Sequence, residues 1–380
     1  MRKGWEYKKL GDLCQITMGQ SPDGNSINEV DGIEFHQGKT CFGERFLGVS
    51  SLFSNAPTKL AEANSVLLCV RAPVGYPNIT ERRICIGRGL CAINAKKEVE
   101  NQYLFYALLK KQDYFEKNAT GSTFKAISSK IISNAEIAIP PKSTQLAIVS
   151  ELDKINELIR LKKEQLVEYD NLAQSIFYEM FGDPVENEKE WEVKKLGDIG
   201  RVITGNTPSR SNEIYYNNPY IEWIKTDNIL DNQIFPSKAA EYLSENGSEV
   251  GRTIENNSLL VACIAGSLSS IGKCCITNRK VAFNQQINGI TPYKDKINVT
   301  FLYCMISFSK KYIQEFASNG MKHILSKSNF EKIPFAIPPL PLQQSFASRI
   351  EQIEKLKSEV QNAITDLETL LASRMQYWFE

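Results

Sequence analysis

Apolar residues recur at alternating steps of four and three through two stretches of the chain. The first holds Ile148, Leu152, Ile155, Ile159, Lys162, Leu166, Tyr169, Ala173, Ile176 and Met180. A shift of 198 positions returns the same register as Phe346, Ile350, Ile353, Lys357, Val360, Ile364, Leu367, Leu371, Arg374 and Trp378. This heptad spacing predicts long helices over 142–182 and 340–380, with matching stripes that bury against each other. Each would be roughly 60 Å long at ~1.5 Å per residue, more than the width of a small domain. Two prolines precede each helix in the repeated IPP-x-x-x-Q, and FGDP at 181–184 ends the first. A lysine stands near the middle of each seam, Lys162 and Lys357, where it costs stability but fixes register.

The segments 1–141 and 183–339 have another texture, short apolar or β-branched runs broken by Gly, Asn, Ser and Pro, with an apolar helical stretch near each end (101–117 and 299–317). Twisted strands with a few packed helices, an α+β domain, are predicted for each. The two segments echo one another. WEYKKLGD at 5–12 returns as WEVKKLGD at 191–198, SVLLCVR at 65–71 aligns with SLLVACI at 258–264, and IGRGLCAI at 86–93 aligns with FNQQINGI at 283–290. The repeat spans the chain as arm, spacer, arm, spacer: 1–141, 142–182, 183–339 and 340–380.

Composition changes this picture little until it is divided. The 380 residues carry a net charge of +1, yet 1–141 and 191–339 are each +4, whereas 142–190 is −5 and 340–380 is −2. Basic arms on acidic spacers would draw a polyanion to the arms. The nine cysteines are scattered without a CxxC pair, and the two histidines, His36 and His323, lie far apart. That pattern predicts no metal site and reduced, buried thiols. No run is long enough to cross a bilayer and the start lacks a secretory core, so a cytoplasmic protein without membrane association is expected.

Catalytic signals are weak. NNPY at 217–220 resembles the motif with which amino-methyltransferases hold a flipped adenine, but it lacks the second proline and a glycine loop for a methyl donor, which points Asn218 and Tyr220 to a turn and core role. A Walker loop and a nucleophile elbow are also absent from the sequence. The chain reads as a binder. Polar loops such as GQSPDGNS (19–26), FHQGK (35–39), TGSTFK (120–125), TGNTPSRS (204–211), KTDN (225–228) and NGMKH (319–323) supply amides for adenine, cations for guanine and hydroxyls for phosphate. Two rival readings are a self-sufficient DNA adenine methyltransferase with a degenerate NNPY site, and a coiled-coil scaffold that binds no nucleic acid.

In this order the paired WE-x-KKLGD openings, GQSP with FHQGK, TGNTPSR, FNQQINGI, TGSTFKAIS and the doubled IPP-x-x-x-Q resemble the specificity subunit of type I restriction-modification systems, over the full chain. The resemblance implies two target recognition domains, each reading one half of a bipartite double-stranded DNA target. It implies antiparallel spacer helices that set the distance between halves and dock two methyltransferase subunits. Restriction subunits would join them. This chain would be non-catalytic and hold no cofactor. S-adenosylmethionine, ATP and Mg would serve the partners, and the assembly would act as an N6-adenine methyltransferase and ATP-dependent endonuclease. The expected DNA contacts are Gln37, Lys39, Ser122, Thr123 and Lys125 in the first arm, and Thr207, Ser209, Arg210, Lys225, Thr226 and Lys322 in the second. Gly121-Ser122-Thr123 is replaced by Gly320-Met321-Lys322 in the second arm, and the arms differ enough elsewhere that different half-sites are expected.

Overall fold

The computed structural model describes residues 5–121, 125–231, 233–318, 320 and 322–380. The chain forms two compact units, Met1–Lys162 with Ala363–Glu380, and Lys163–Asn362. Each unit owns an α+β arm and about one half of each long helix, Lys142–Phe181 and Leu340–Phe379.

Both arms are α+β and share the strand order of a four-stranded antiparallel sheet. In the first, an antiparallel sheet runs Cys14–Met18, Leu90–Ala95, Val66–Cys69, Pro77–Ile79; in the second the order is Gly200–Thr204, Ile287–Pro292, Leu259–Ala262, Cys274–Ile276. A second sheet in each arm contains one parallel pair, Ile33–His36 beside Ile84–Ile86 and Ile221–Ile224 beside Val281–Phe283. The helical stretches predicted near the arm ends each break once, into Asn101–Lys110 and Gln112–Asn118, and into Val299–Phe308 and Lys310–Glu315.

The repeated opening closes each arm at the root of a long helix. Glu6–Lys9 pairs antiparallel with Glu136–Ile139, and Glu192–Lys195 with Pro334–Ile337, the strands that carry the Ile of IPP. The motif's glutamine then bolts the helix start. Gln145, fully buried, donates to the Glu98 and Pro140 carbonyls at 3.0 and 2.9 Å and accepts from the Glu100 N–H at 2.9 Å. Gln343 makes the same three bonds, to Lys296, Pro338 and Asn298. A buried amide with all these partners costs little and orients the helix.

Within each unit the long helices run antiparallel. In the first unit the Arg374 guanidinium and the Trp378 indole N–H both donate to Glu151. In the second, Phe177 lies 5.5 Å from Phe346 and Lys357 donates to Asp170 at 2.7 Å. Burial opposes the charge on Lys357, but Asp170 and Glu354 outweigh it and raise the ammonium above its ordinary range. The expected seam drifts at its ends. Phe177, Phe181 and Met375 are buried there, whereas Ile176, Met180 and Arg374 are only half-buried. A straight helix drifts ~20° per heptad against a 3.5-residue repeat, and the last turns face an arm's core as well as the partner helix.

Candidate nucleic-acid interface

Three distant loops meet at one edge of each arm, held by equivalent bonds. The G-x-[S/T]-P loop comes first. Gly19 and Gly205 press against the turn at 87–89 or its counterpart at 284–286. An added Cβ would lie 2.1 Å from the Gly87 carbonyl oxygen and 2.2 Å from that of Asn284, so only glycine fits. Next comes the residue after the parallel strand, Gln37 or Lys225. It is anchored because Gly87 N–H donates to the His36 carbonyl at 2.8 Å and Asn284 N–H to that of Ile224 at 3.0 Å. The third loop lies after Val66–Cys69 or Leu259–Ala262. It is tied to the second turn by Val70 N–H to Gly89 (2.9 Å) or Cys263 N–H to Gln286 (2.8 Å), and to a terminal hairpin by Ile127 to Val70 or Leu325 to Cys263.

A half-buried ion pair steadies each parallel strand three residues before its loop. Arg82 donates to Glu34 through Nε and Nη2 at 2.5 and 2.6 Å, and Arg279 to Glu222 at 2.9 and 2.6 Å. Burial works against ionisation of Glu34, but Arg82, the Ser50 N–H and His36 Nε2 overcome it and hold its pKa down at about 2. A carboxylate held below its ordinary value of 4.5 stabilises the fold above that value and ceases to do so as pH falls toward 2. Glu34→Gln is therefore expected to cost about 3 kcal/mol at pH 7. The gap to wild type in urea unfolding should shrink by more than half by about pH 3, and a pH-independent gap would contradict the assignment.

The expected contact residues divide as follows. Gln37 is exposed, with its amide oxygen accepting from the Ser21 hydroxyl at 2.8 Å. Lys39 is exposed, its ammonium 4.6 Å above the Tyr76 ring. Lys125 is exposed beside the hairpin, its carbonyl bonded to Ala72 N–H. Ser122 and Thr123 lie outside the described residues. In the second arm the exposed Thr207 donates to Gln285, and Ser209 shares a 2.8 Å bond with Ser211. Arg210 and Lys225 both bind Glu241, while Thr226 is half-buried in the turn that follows Lys225. Lys322 is exposed on the hairpin. The structure thus brings Gln37 and Lys39 to one edge, and Thr207, Arg210, Lys225 and Thr226 to the equivalent one.

Ser21, Arg88 and Gln285 also lie at these edges although they are not among the expected contacts, and the repeat aligns them: GQSP with GNTP and IGRGL with FNQQI. Tyr220 is also not a core residue. It is 64% exposed just before Ile221–Ile224, at the sheet margin, where its N–H donates to the Leu243 carbonyl. Among the described residues no cluster of His, Cys, Asp or Glu could hold a metal, and no helix is long and apolar enough to cross a membrane.

A family profile described as the type I restriction modification DNA specificity domain matches residues 2–168 and again 188–368. The chain belongs to this family. Two copies of the domain make it a specificity subunit with two recognition domains. It is 26% identical over 380 residues to the type I restriction enzyme MjaIX specificity subunit of Methanocaldococcus jannaschii, covering 92% of this chain and 87% of that one. It is 31% identical over 193 residues to the HindI specificity subunit of Haemophilus influenzae, 49% of this chain and 40% of the relative. Its fold matches the crystal structure of a type I restriction-modification S subunit from M. genitalium, with TM-score 0.61, 16% identity and coverage of 99% and 96%. A chain from a structural study of type I restriction-modification complex assembly matches with TM-score 0.66 and 16% identity, covering 99% and 97%. Each matched segment takes in one arm and part of the long helix that follows it, and each arm carries the same three-loop edge with different side chains.

Proposed function

We propose that each recognition domain reads one half of a bipartite duplex through its three-loop edge, and that the long helices set the distance between halves and dock methyltransferase subunits. The observation that carries this reading is one scaffold holding unlike side chains at matched positions, Gln37 against Lys225 and Arg88 against Gln285. An amide suits adenine and a cation suits guanine, so the two edges read different bases while hydroxyls and lysines such as Lys39, Lys125 and Lys322 take phosphates. The chain itself is non-catalytic in this reading. S-adenosylmethionine, ATP and Mg belong to methyltransferase and restriction partners, which methylate adenine N6 and cleave DNA. The test is duplex binding by the chain assembled with its methyltransferase subunit, over a salt series. A strong preference for the bipartite sequence at which the host genome carries methylated adenine is expected; equal binding to every duplex refutes the reading.

Exposed leucines support docking. Leu158 and Leu172 are 48% and 46% exposed on the first helix, and Leu356 and Leu370, 198 positions on, are 42% and 45% exposed on the second. The first unit carries Leu158 and Leu370, the second Leu356 and Leu172, so each offers the same pair. Leu158→Glu with Leu356→Glu is expected to leave folding intact and abolish co-purification of the methyltransferase subunit, as measured by size-exclusion chromatography; retained assembly would place the docking surface elsewhere.

A further inference from the structure

Two cations of the second recognition edge share one carboxylate. Arg210 Nη2 donates to Glu241 Oε2 at 2.6 Å, and Lys225 Nζ donates to Oε1 of the same group. The guanidinium carbon lies 4.8 Å from the Tyr216 ring and 4.9 Å from that of Trp223, and the Lys225 ammonium lies 5.1 Å from Trp223. This shelf is rigid. Trp223 is buried and its indole N–H donates to the Asn206 carbonyl at 3.3 Å, while the Tyr216 hydroxyl donates to Pro208 at 2.7 Å. Glu241 is itself mounted on the sheet, its carbonyl accepting from Trp223 N–H at 3.0 Å.

The first domain supplies an internal comparison. The bond from Phe35 N–H to the Leu52 carbonyl, 2.7 Å, occupies the place of Trp223 to Glu241, so the residue equivalent to Glu241 is Leu52. There the residue in the place of Lys225 is the neutral Gln37. The carboxylate appears only where the edge carries a close pair of cations.

We propose that Glu241 is a specificity-determining positioning residue of the second recognition domain: it clasps Arg210 and Lys225 over the Trp223–Tyr216 shelf, weakening their pull on phosphates of any sequence and holding them for base edges. The physical case has two parts. An unclasped Arg and Lys would gain from every duplex by counterion release, whereas a carboxylate between them reduces the local charge from two to one. Reading guanine bidentately needs the guanidinium fork fixed in orientation, which a salt bridge and an aromatic face together provide. Hydrogen bonds from Lys225 and then Arg210 hold the Glu241 carboxyl below its ordinary range, so the clasp is charged at neutral pH.

This inference rests on the DNA-reading function proposed above, and the experiment separates the two. The full chain, assembled with its methyltransferase subunit, is titrated over a salt series with the duplex modified in the host genome and with versions in which either half-site is scrambled. Glu241→Gln is expected to bind the scrambled duplexes more tightly, with a salt dependence steeper by about one unit of slope. Discrimination at one half-site should fall by about tenfold or more and stay unchanged at the other. Glu241→Asp, which keeps the charge, should retain most of the discrimination. Arg210→Ala is the second variant and moves the readouts differently: discrimination falls, but binding to scrambled duplexes weakens. If wild type discriminates and Glu241→Gln matches it in affinity and slope, Glu241 is a surface charge and this proposal alone fails. If wild type prefers no duplex, both readings fail together.

Discussion

Phe177→Ala should destabilise the second unit by about 4 kcal/mol, among the larger effects a single side chain can produce. Phe177 is fully buried near the end of the first long helix. Its ring centroid lies 5.3 Å from Phe181 and Phe308, 5.5 Å from Phe346 and 5.6 Å from Phe301. One side chain therefore joins both long helices to the arm helix Val299–Phe308. Truncation removes the transfer energy of a ring and leaves a cavity that four neighbouring rings cannot collapse to fill. Phe177→Leu keeps most of the volume and should cost about 1 to 2 kcal/mol. Urea unfolding of the two variants measures this, and equal midpoints for Ala and wild type would show that the cluster is not what binds the arm to the helices. The first unit solves the same problem with other residues: Met375 takes the place of Phe177, and Tyr103 lies 5.5 Å from Phe379 with its hydroxyl bonded to the Ala138 carbonyl.

The second large effect follows from the helices being continuous through both units. Removing seven residues, 160–166, from the first helix keeps the heptad phase but shortens it by ~10 Å. The Glu151–Arg374 pair of the first unit and the Asp170–Lys357 pair of the second then cannot both form on one partner helix. Loss of sequence-specific DNA binding is expected. Removing 358–364 as well, the same stretch 198 positions on, restores both pairs. The doubly shortened chain should bind a target whose unread gap differs by about three base pairs. Selection of bound duplexes from a randomised pool reads the gap directly. An unchanged gap in the double deletion would show that the helices do not set it, and wild-type binding by the single deletion would show that the seam does not fix register.

Much of this architecture was legible without coordinates. The 4-3 stripes marked both long helices because a heptad pattern has one physical use, a seam that stays on one face. The echo of WE-x-KKLGD and IPP-x-x-x-Q marked a duplicated domain, and the reason for those letters is now apparent: a strand pair closes each arm, and a buried glutamine ties the helix start to the backbone around it. Periodicity was less informative at the helix ends, where Phe177 and Phe181 replace Ile176 and Met180 as the buried residues. There the helix no longer faces its partner alone, and the core of an arm selects the inward face.

The three-loop edge was legible only as a set of polar loops. Gln37, Lys39, Arg210 and Lys225 could be picked for their chemistry, but nothing local links position 19 to 87, or 225 to 241. Those meetings depend on strand pairing between distant segments, and on glycines that admit a backbone oxygen at a distance no side chain allows. The sequence by itself determined the α+β arms and the two long helices, which rest on local pattern and short-range periodicity, and its repeated motifs carried the duplication and the resemblance to a family. Only the tertiary structure decided which side chains share an edge, that Ser21 meets Gln37 while Thr207 meets Gln285, and that one carboxylate holds both cations of the second domain. Hydrogen bonds and ion pairs between residues far apart in the chain leave no periodic trace, since they are set by where the sheets bring the loops together.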